Sequence, residues 1–183
     1  MIRILKTVCR LIIGFIFCSS GTVLAVNSNL GLSPWDVFHQ GLSKITGISM
    51  GQVSIFVGLI VVIATIFLKL EIGLGTIANM ILIGVFMDVI SYTKIIPTSH
   101  NFFVSLLMLL GSLFTMAIGS YLYIGCEMGC GPRDGLMVAL VKKTGKPVGF
   151  IRSCIELGVL IIGFILGGSV GIGTLITVFC LGA

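Results

Sequence analysis

Gly31-Leu32-Ser33-Pro34-Trp35-Asp36 and, ninety-eight positions later, Gly129-Cys130-Gly131-Pro132-Arg133-Asp134 are the same phrase with three residues changed. The register runs on without a gap. Leu42, Lys44, Thr46, Gly47, Gly51, Leu59, Ile63, Gly73, Gly75, Thr76 and Gly84 fall on Leu140, Lys142, Thr144, Gly145, Gly149, Leu157, Ile161, Gly171, Gly173, Thr174 and Gly182. Gly21 and Leu24 extend it backwards onto Gly119 and Leu122. The chain therefore reads as one membrane domain, 1–183, made of two tandem copies, 1–93 and 99–183. Internal repetition in a very apolar chain is a signature of transporter and channel architectures.

Hydrophobic residues make up 57% of the 183 and charged residues 9%, against roughly 45–50% and about 25% in soluble domains. An aqueous surface cannot be covered from that composition, so the chain is expected to be an integral membrane protein embedded in lipid. The net charge of +5 is spread between apolar spans as basic loop residues, which argues against a nucleic-acid partner. Cys126 and Cys130, the one close pair among six cysteines, lack the spacing and the histidines of a zinc site. Free thiols, with no metal and no cofactor, are the expectation.

Six apolar stretches stand out: 4–26, 51–68, 72–92, 102–124, 148–166 and 170–183. The first five approach the roughly 20 residues that cross a bilayer, and the sixth is short. The counterpart of Asp88 in the second copy would be position 186, beyond the sequence, so the last span is expected to be either clipped or incomplete. The basic start and apolar run of residues 3–26 resemble a signal peptide, but the run aligns with 102–124, and a segment that is half of a repeat is expected to be retained. With the N-terminus in the cytoplasm, Arg3, Lys6, Arg10, Lys69, Arg133, Lys142, Lys143, Lys146 and Arg152 lie inside and only Lys44 and Lys94 outside, nine against two. Cytoplasmic loops carry such an excess of Lys and Arg. Three crossings per copy then make the repeats inverted, related by a two-fold axis in the membrane plane.

Between the first and second spans of each copy lies a helix-starting signal: a cap residue, Pro34 or Pro132 at the first helical position, then Asp36 or Asp134 in the first turn. Residues 34–45 and 132–142 are too short to span. Each follows a seven-residue glycine-bearing linker, 27–33 or 125–131, able to carry the chain to mid-membrane and start a half-helix there. The alternative is an amphipathic helix lying at the interface, with Trp35, Phe38, Leu42 and Ile45 toward lipid and Asp36, Gln40 and Lys44 toward water. For Asp36 and Asp134 a capping role stands beside a ligand or proton role. Arg133 replaces Trp35 and has no symmetric duty. At a helix N-terminus its guanidinium suits an anion or carboxylate, while Trp35 is expected to anchor its segment at the outer interface.

Ionisable and amide groups inside spans are site candidates by default. Asn79 and Asp88 in the third span join Pro34, Asp36, Pro132, Arg133 and Asp134 as residues expected to frame a path. Arg152 and Glu156, four apart in the fifth span, are expected to neutralise each other. The pairs Gly73/Gly75 and Gly171/Gly173 are expected to permit close helix approach. Residues 47–51 read as G-x-S-x-G, but the second copy has Pro147 in place of Ser49 and the glycines are turn residues of the repeat. No enzymatic activity is expected.

Residues 31–42, 73–79 and 129–137, taken with the repeat, closely resemble the YczE/YyaS/YitT group of bacterial multi-pass membrane proteins, in particular its YczE-like branch. The resemblance implies a location in the bacterial cytoplasmic membrane and supplies no substrate. The family's glycine-proline-containing C-terminal end has no counterpart here. The expected fold is an all-α membrane bundle of about six spans, built as two inverted repeats of three, each with a short proline-started helix. In architecture this resembles aquaporins, whose half-helices follow the second span of each repeat rather than the first. The expected function is transport or conduction of a small polar or anionic solute. The rival reading is a membrane scaffold or accessory protein that assists a partner enzyme or complex without moving solute. A further copy of the chain or another membrane protein is the expected protein partner. A solute path requires a polar cavity flanked by the proline segments, and a scaffold requires a dry, glycine-packed bundle.

The orientation is checked with a membrane-impermeant maleimide on intact cells. Cys126 and Cys130 are expected to stay unlabelled from outside and Lys44→Cys to label; strong external labelling of Cys126 or Cys130 overturns the topology.

Overall fold

The computed structural model describes residues 2–70, 72–126 and 128–182. Ala183, the last residue of the sixth apolar stretch, and the side chains of Arg3 and Cys180 lie outside the described residues. Among those described, all regular structure is helical: α1 (Ile2–Ser28), α2 (Pro34–Thr46), α3 (Met50–Phe67), α4 (Leu74–Thr93), α5 (Phe102–Ile124), α6 (Pro132–Thr144), α7 (Val148–Ile165) and α8 (Ile172–Gly182). The starts of α2, α3 and α4 recur ninety-eight residues later as the starts of α6, α7 and α8. Five helices, α1, α3, α4, α5 and α7, are long and apolar enough to cross a membrane. α8, at eleven described residues, is the short sixth.

Local chemistry explains the two short helices. Each starts with proline at its first position and stops at a glycine in the left-handed conformation, Gly47 at φ 74° and Gly145 at φ 68°, whose N–H bonds back to the carbonyl of Ser43 or Val141. Polar contacts show which helix ends lie together. Asn27, at the end of α1, donates to Ile96 O beyond α4; Asp88, near the end of α4, accepts from Ser49 at the start of α3; Lys44, near the end of α2, donates to Gly167 O just past α7. At the opposite end, Cys126 beyond α5 meets Thr7 in α1. The long helices therefore alternate in direction. With α7 about 27 Å long, the C-terminal ends of α2 and α6 fall at opposite ends of the bundle, and their proline-bearing starts turn inward.

The two copies hold each other by exchanged contacts. Gly75 N–H donates to Met128 O at 2.9 Å, and its repeat-mate Gly173 donates to Leu30 O, the repeat-mate of Met128, at 2.7 Å. A Cβ on Gly21 of α1 would stand 3.0 Å from Ser112 O of α5, while one on Gly119 of α5 would stand 2.8 Å from Gly14 O of α1. Contacts in which i meets j and the mate of j meets the mate of i are those of an isologous pair. Gly73, Gly75, Gly171 and Gly173 thus do admit a close approach, but what approaches is the linker backbone of the other copy. The outer face is the reverse of a soluble protein: Phe67 is 82% exposed, Phe103 76% and Phe114 69%, as suits hydrocarbon contact.

Gly31 and Gly129 sit at φ 109° and 117°, where L-residues are strained, and a Cβ on Gly31 would lie 2.5 Å from Gly171 N. Gly31→Ala and Gly129→Ala are each expected to cost about 2 kcal/mol or more. Gly111→Ala and Gly158→Ala, which meet nothing within 4 Å, should leave the unfolding midpoint in detergent unchanged or raised.

Candidate functional site

α2 enters the protein N-terminus first. Pro34, Trp35, Asp36, Val37, His39 and Gly41 are buried, and residues 44–47 at its far end are exposed. For α2 this burial disagrees with the interfacial alternative, since Asp36 is only 3% exposed although that alternative turns it to water; the matching Asp134 of α6 is exposed. Trp35 is corrected as well: it packs on Val53, Val57 and Val61 of α3 instead of anchoring at an outer interface. An indole has a large apolar body, and α3 supplies apolar neighbours one turn apart.

Polar chemistry at the start of α2 is closed on itself. Ser33 Oγ accepts from Asp36 N–H at 3.4 Å and donates to Asp36 Oδ2 at 2.6 Å, so Asp36 takes part in its own helix cap. The matching place in the second copy is Gly131, which offers no side chain, and the first N–H groups of α6 have no side-chain acceptor. The starts of the two helices nevertheless meet. Arg133, at the second position of α6, lays its guanidinium 5.3 Å from the ring centre of Trp35, its own repeat-mate, and brings Nη2 to 3.4 Å from Asp36 Oδ1 and 3.3 Å from His39 Nδ1. An arginine only donates, so His39 Nδ1 accepts and Nε2 carries the proton. That Nε2 is buried without a partner.

A cavity of about 350 Å³ opens where these starts converge. Pro34 and His39 line it from α2; Pro132, Arg133 and Asp134 from α6; Asn79 from α4. Five of the seven residues expected to frame a path, Pro34, Asn79, Pro132, Arg133 and Asp134, are brought together there. Asp36 stands behind the wall and holds Arg133. Asp88 stands apart: its carboxylate accepts from Ser49 Oγ and, at 2.8 Å, from Gly51 N–H, which caps α3. Ser49 is correspondingly a helix cap that also accepts from Gln52 N–H. Arg152 and Glu156 pair at 2.9 Å, as their spacing predicts, and both line the cavity.

Sequence reasoning did not single out His39 or Tyr123 as part of this wall. The spacing of His39 from Asp36, one turn on, was the available signal; Tyr123 ends a span and carried none.

The model of a family of unknown function, DUF6198, matches residues 5–183. The chain belongs to DUF6198. An uncharacterized protein of Haemophilus influenzae is 34% identical over 178 residues, covering 97% of this chain and 81% of its own. The uncharacterized membrane protein YczE of Bacillus subtilis is 34% identical over 171 residues, 92% of this chain and 79% of that one. The uncharacterized protein YyaS of the same organism is 31% identical over 173 residues, 93% and 85% of the two chains. No solved structure matches. The resemblance to the YczE and YyaS proteins thus holds over most of this DUF6198 chain; its five long apolar helices describe a multi-pass membrane protein, and one relative is named a membrane protein.

Since Asp88 serves α3, Asp88→Ala is expected to lower stability by about 1–3 kcal/mol. Asp88→Asn, which keeps one acceptor oxygen, should recover part of the loss in thermal unfolding measured in detergent.

Proposed function

We propose that this protein is a non-enzymatic transporter or channel for a small polar or anionic solute in the bacterial cytoplasmic membrane. The observation that carries the reading is the convergence of two proline-started helices, one from each copy, on one cavity of about 350 Å³. Helix starts bring partial positive charge and unspent N–H donors to the place where they meet, and that cavity also carries Arg133, Asn79 and the unpaired His39 Nε2. A protein that only holds a partner has no need of a cavity lined by Arg133, Asp134, Asn79, Arg152 and Glu156, and burying such groups is unfavourable in hydrocarbon.

In this reading the N-terminus is cytoplasmic, which the nine-to-two distribution of Lys and Arg supports. The copies are inverted across the membrane, so that α2 dips in from outside and α6 from inside. The exchanged contacts between copies and the opposite placement of the far ends of α2 and α6 support it. Arg133, on the line between the two helix starts, is the group a passing solute must meet, and Trp35, Asp36 and His39 set its position.

Reconstituted vesicles carrying the protein at matched density, assayed for uptake of small organic acids and polar solutes, test the proposal. Arg133→Ala is expected to cut uptake at least tenfold, and Trp35→Ala to cut it less, because Asp36 and His39 still hold the guanidinium. Arg133→Lys should rescue poorly, since an ammonium cannot reproduce the planar fork. If the unmodified protein moves nothing across a broad panel, transport is overturned and an accessory role is left.

A further inference from the structure

Both signs of charge stand on the cavity wall. Arg133 and Asp134 are neighbours at the start of α6, and Arg152 and Glu156 face the same space from α7. A bare anion drawn to Arg133 meets Asp134, and a bare cation drawn to Asp134 meets Arg133. A solute carrying both charges meets neither penalty.

The unsatisfied groups sort the same way. On the donor side are the uncapped N–H groups that open α6, the unused guanidinium nitrogens of Arg133, and His39, 2% exposed, whose protonated Nε2 has no acceptor. On the acceptor side is Asp134, whose carboxylate makes no hydrogen bond or ion pair among the described residues. Its Oδ2 belongs to a small cradle. The point where a Cβ of Gly131 would stand is 3.4 Å from Asn79 Oδ1, 3.6 Å from Tyr123 Oη and 3.7 Å from Asp134 Oδ2. Three oxygens from three helices thus gather on the cavity wall beside Gly131, which has no side chain to fill the space between them. In the first copy the matching residue is Ser33, and its hydroxyl is spent on the cap of α2.

We propose that this cradle receives the ammonium of a small zwitterion of the amino-acid type, whose carboxylate lies against the uncapped start of α6 and Arg133. The site deepens the transport reading and rests on it. The two charges of an α-amino acid are joined through one carbon, and here the donors at the start of α6 and the carboxylate of Asp134 belong to the same helical turn. Met80, Met116 and Met137, also on the wall, offer an adaptable apolar surface for the remainder of the solute.

The single tryptophan of the chain, Trp35, lines the cavity against Arg133 and reports binding by its own fluorescence. The purified full chain in detergent is titrated with L-leucine and L-alanine, with 4-methylpentanoate and propionate, which lack the ammonium, and with 3-methylbutylamine and ethylamine, which lack the carboxylate. At least one amino acid is expected to bind at least tenfold more tightly than both of its truncated analogues. Gly131→Ala fills the cradle at ordinary contact distances and a permitted φ of −59°, so it folds; it is expected to weaken amino-acid binding about tenfold or more. Asp134→Asn should do the same while leaving the carboxylic acids unchanged or improved. Thermal unfolding of both variants checks that the fold is kept.

Equal binding of an acid and its amino acid overturns the zwitterion site, as does unchanged amino-acid affinity in both variants. So does silence of Trp35 toward every amino acid when vesicles accumulate some other solute, which leaves the transport reading in place. Binding of amino acids with no uptake of any solute has the opposite meaning: the site stands and the transport reading falls.

Discussion

Two main-chain hydrogen bonds, Gly75 N–H to Met128 O and Gly173 N–H to Leu30 O, govern what happens at the centre of this protein. Linker carbonyls turned into an apolar bundle have no water to satisfy them, so they must be met by protein. Each copy meets them in the other copy, at the start of its last helix, where glycines let the backbones touch and where a helix has donors to spare. Once the linkers are clasped, the helices that follow them must begin in the interior and run back outward. The burial of Pro34, Trp35 and Asp36 and the exposure of residues 44–47 follow from that clasp.

Exchanged contacts bring equivalent positions of the two copies together, and equivalent positions cannot always hold the same residue. Residues 35 and 133 are such a pair. Two arginines there would repel at close range in a medium of low dielectric constant, and two tryptophans would fill the meeting point of the helices with apolar bulk. One of each gives a cation over an aromatic face, 5.3 Å from its centre, an arrangement worth about 1–2 kcal/mol when partly desolvated. The cap positions diverge in the same sense. Ser33 closes the first copy and Gly131 leaves the second open, so copies that share one fold present one finished helix start and one reactive one.

The side chains around the cavity divide by what they touch. Asp36, Trp35 and His39 hold Arg133 in place, whereas Asp134, Asn79 and Tyr123 line the cavity beside Gly131. Asp88, chemically similar to Asp36, belongs to neither group. Its partners are Ser49 and Gly51 at the start of α3, far along the chain, and nothing in its own segment distinguishes a carboxylate that caps a distant helix from one that faces a solute. That is why the acids of the spans are easy to find in the sequence and hard to sort.

Repetition, apolar spans, helix caps and the short last helix were all legible in the sequence, because each depends on residues close together along the chain or on the same residue recurring at a fixed interval. Pro34 and Pro132 with their acids announced two short helices, and Gly47 and Gly145 announced where they stop. The meeting of Arg133 with Trp35, Asp36 and His39 was not legible, nor was the ring of oxygens around Gly131. Those contacts join α2 to α6 and α4 to α5 across separations of up to about half the chain, and no local propensity specifies which face of a buried helix will meet which. Periodicity left α2 free to lie at an interface or to enter the protein. Only tertiary packing, by satisfying the linkers on the opposite copy and by giving Trp35 an apolar wall, decided that it enters.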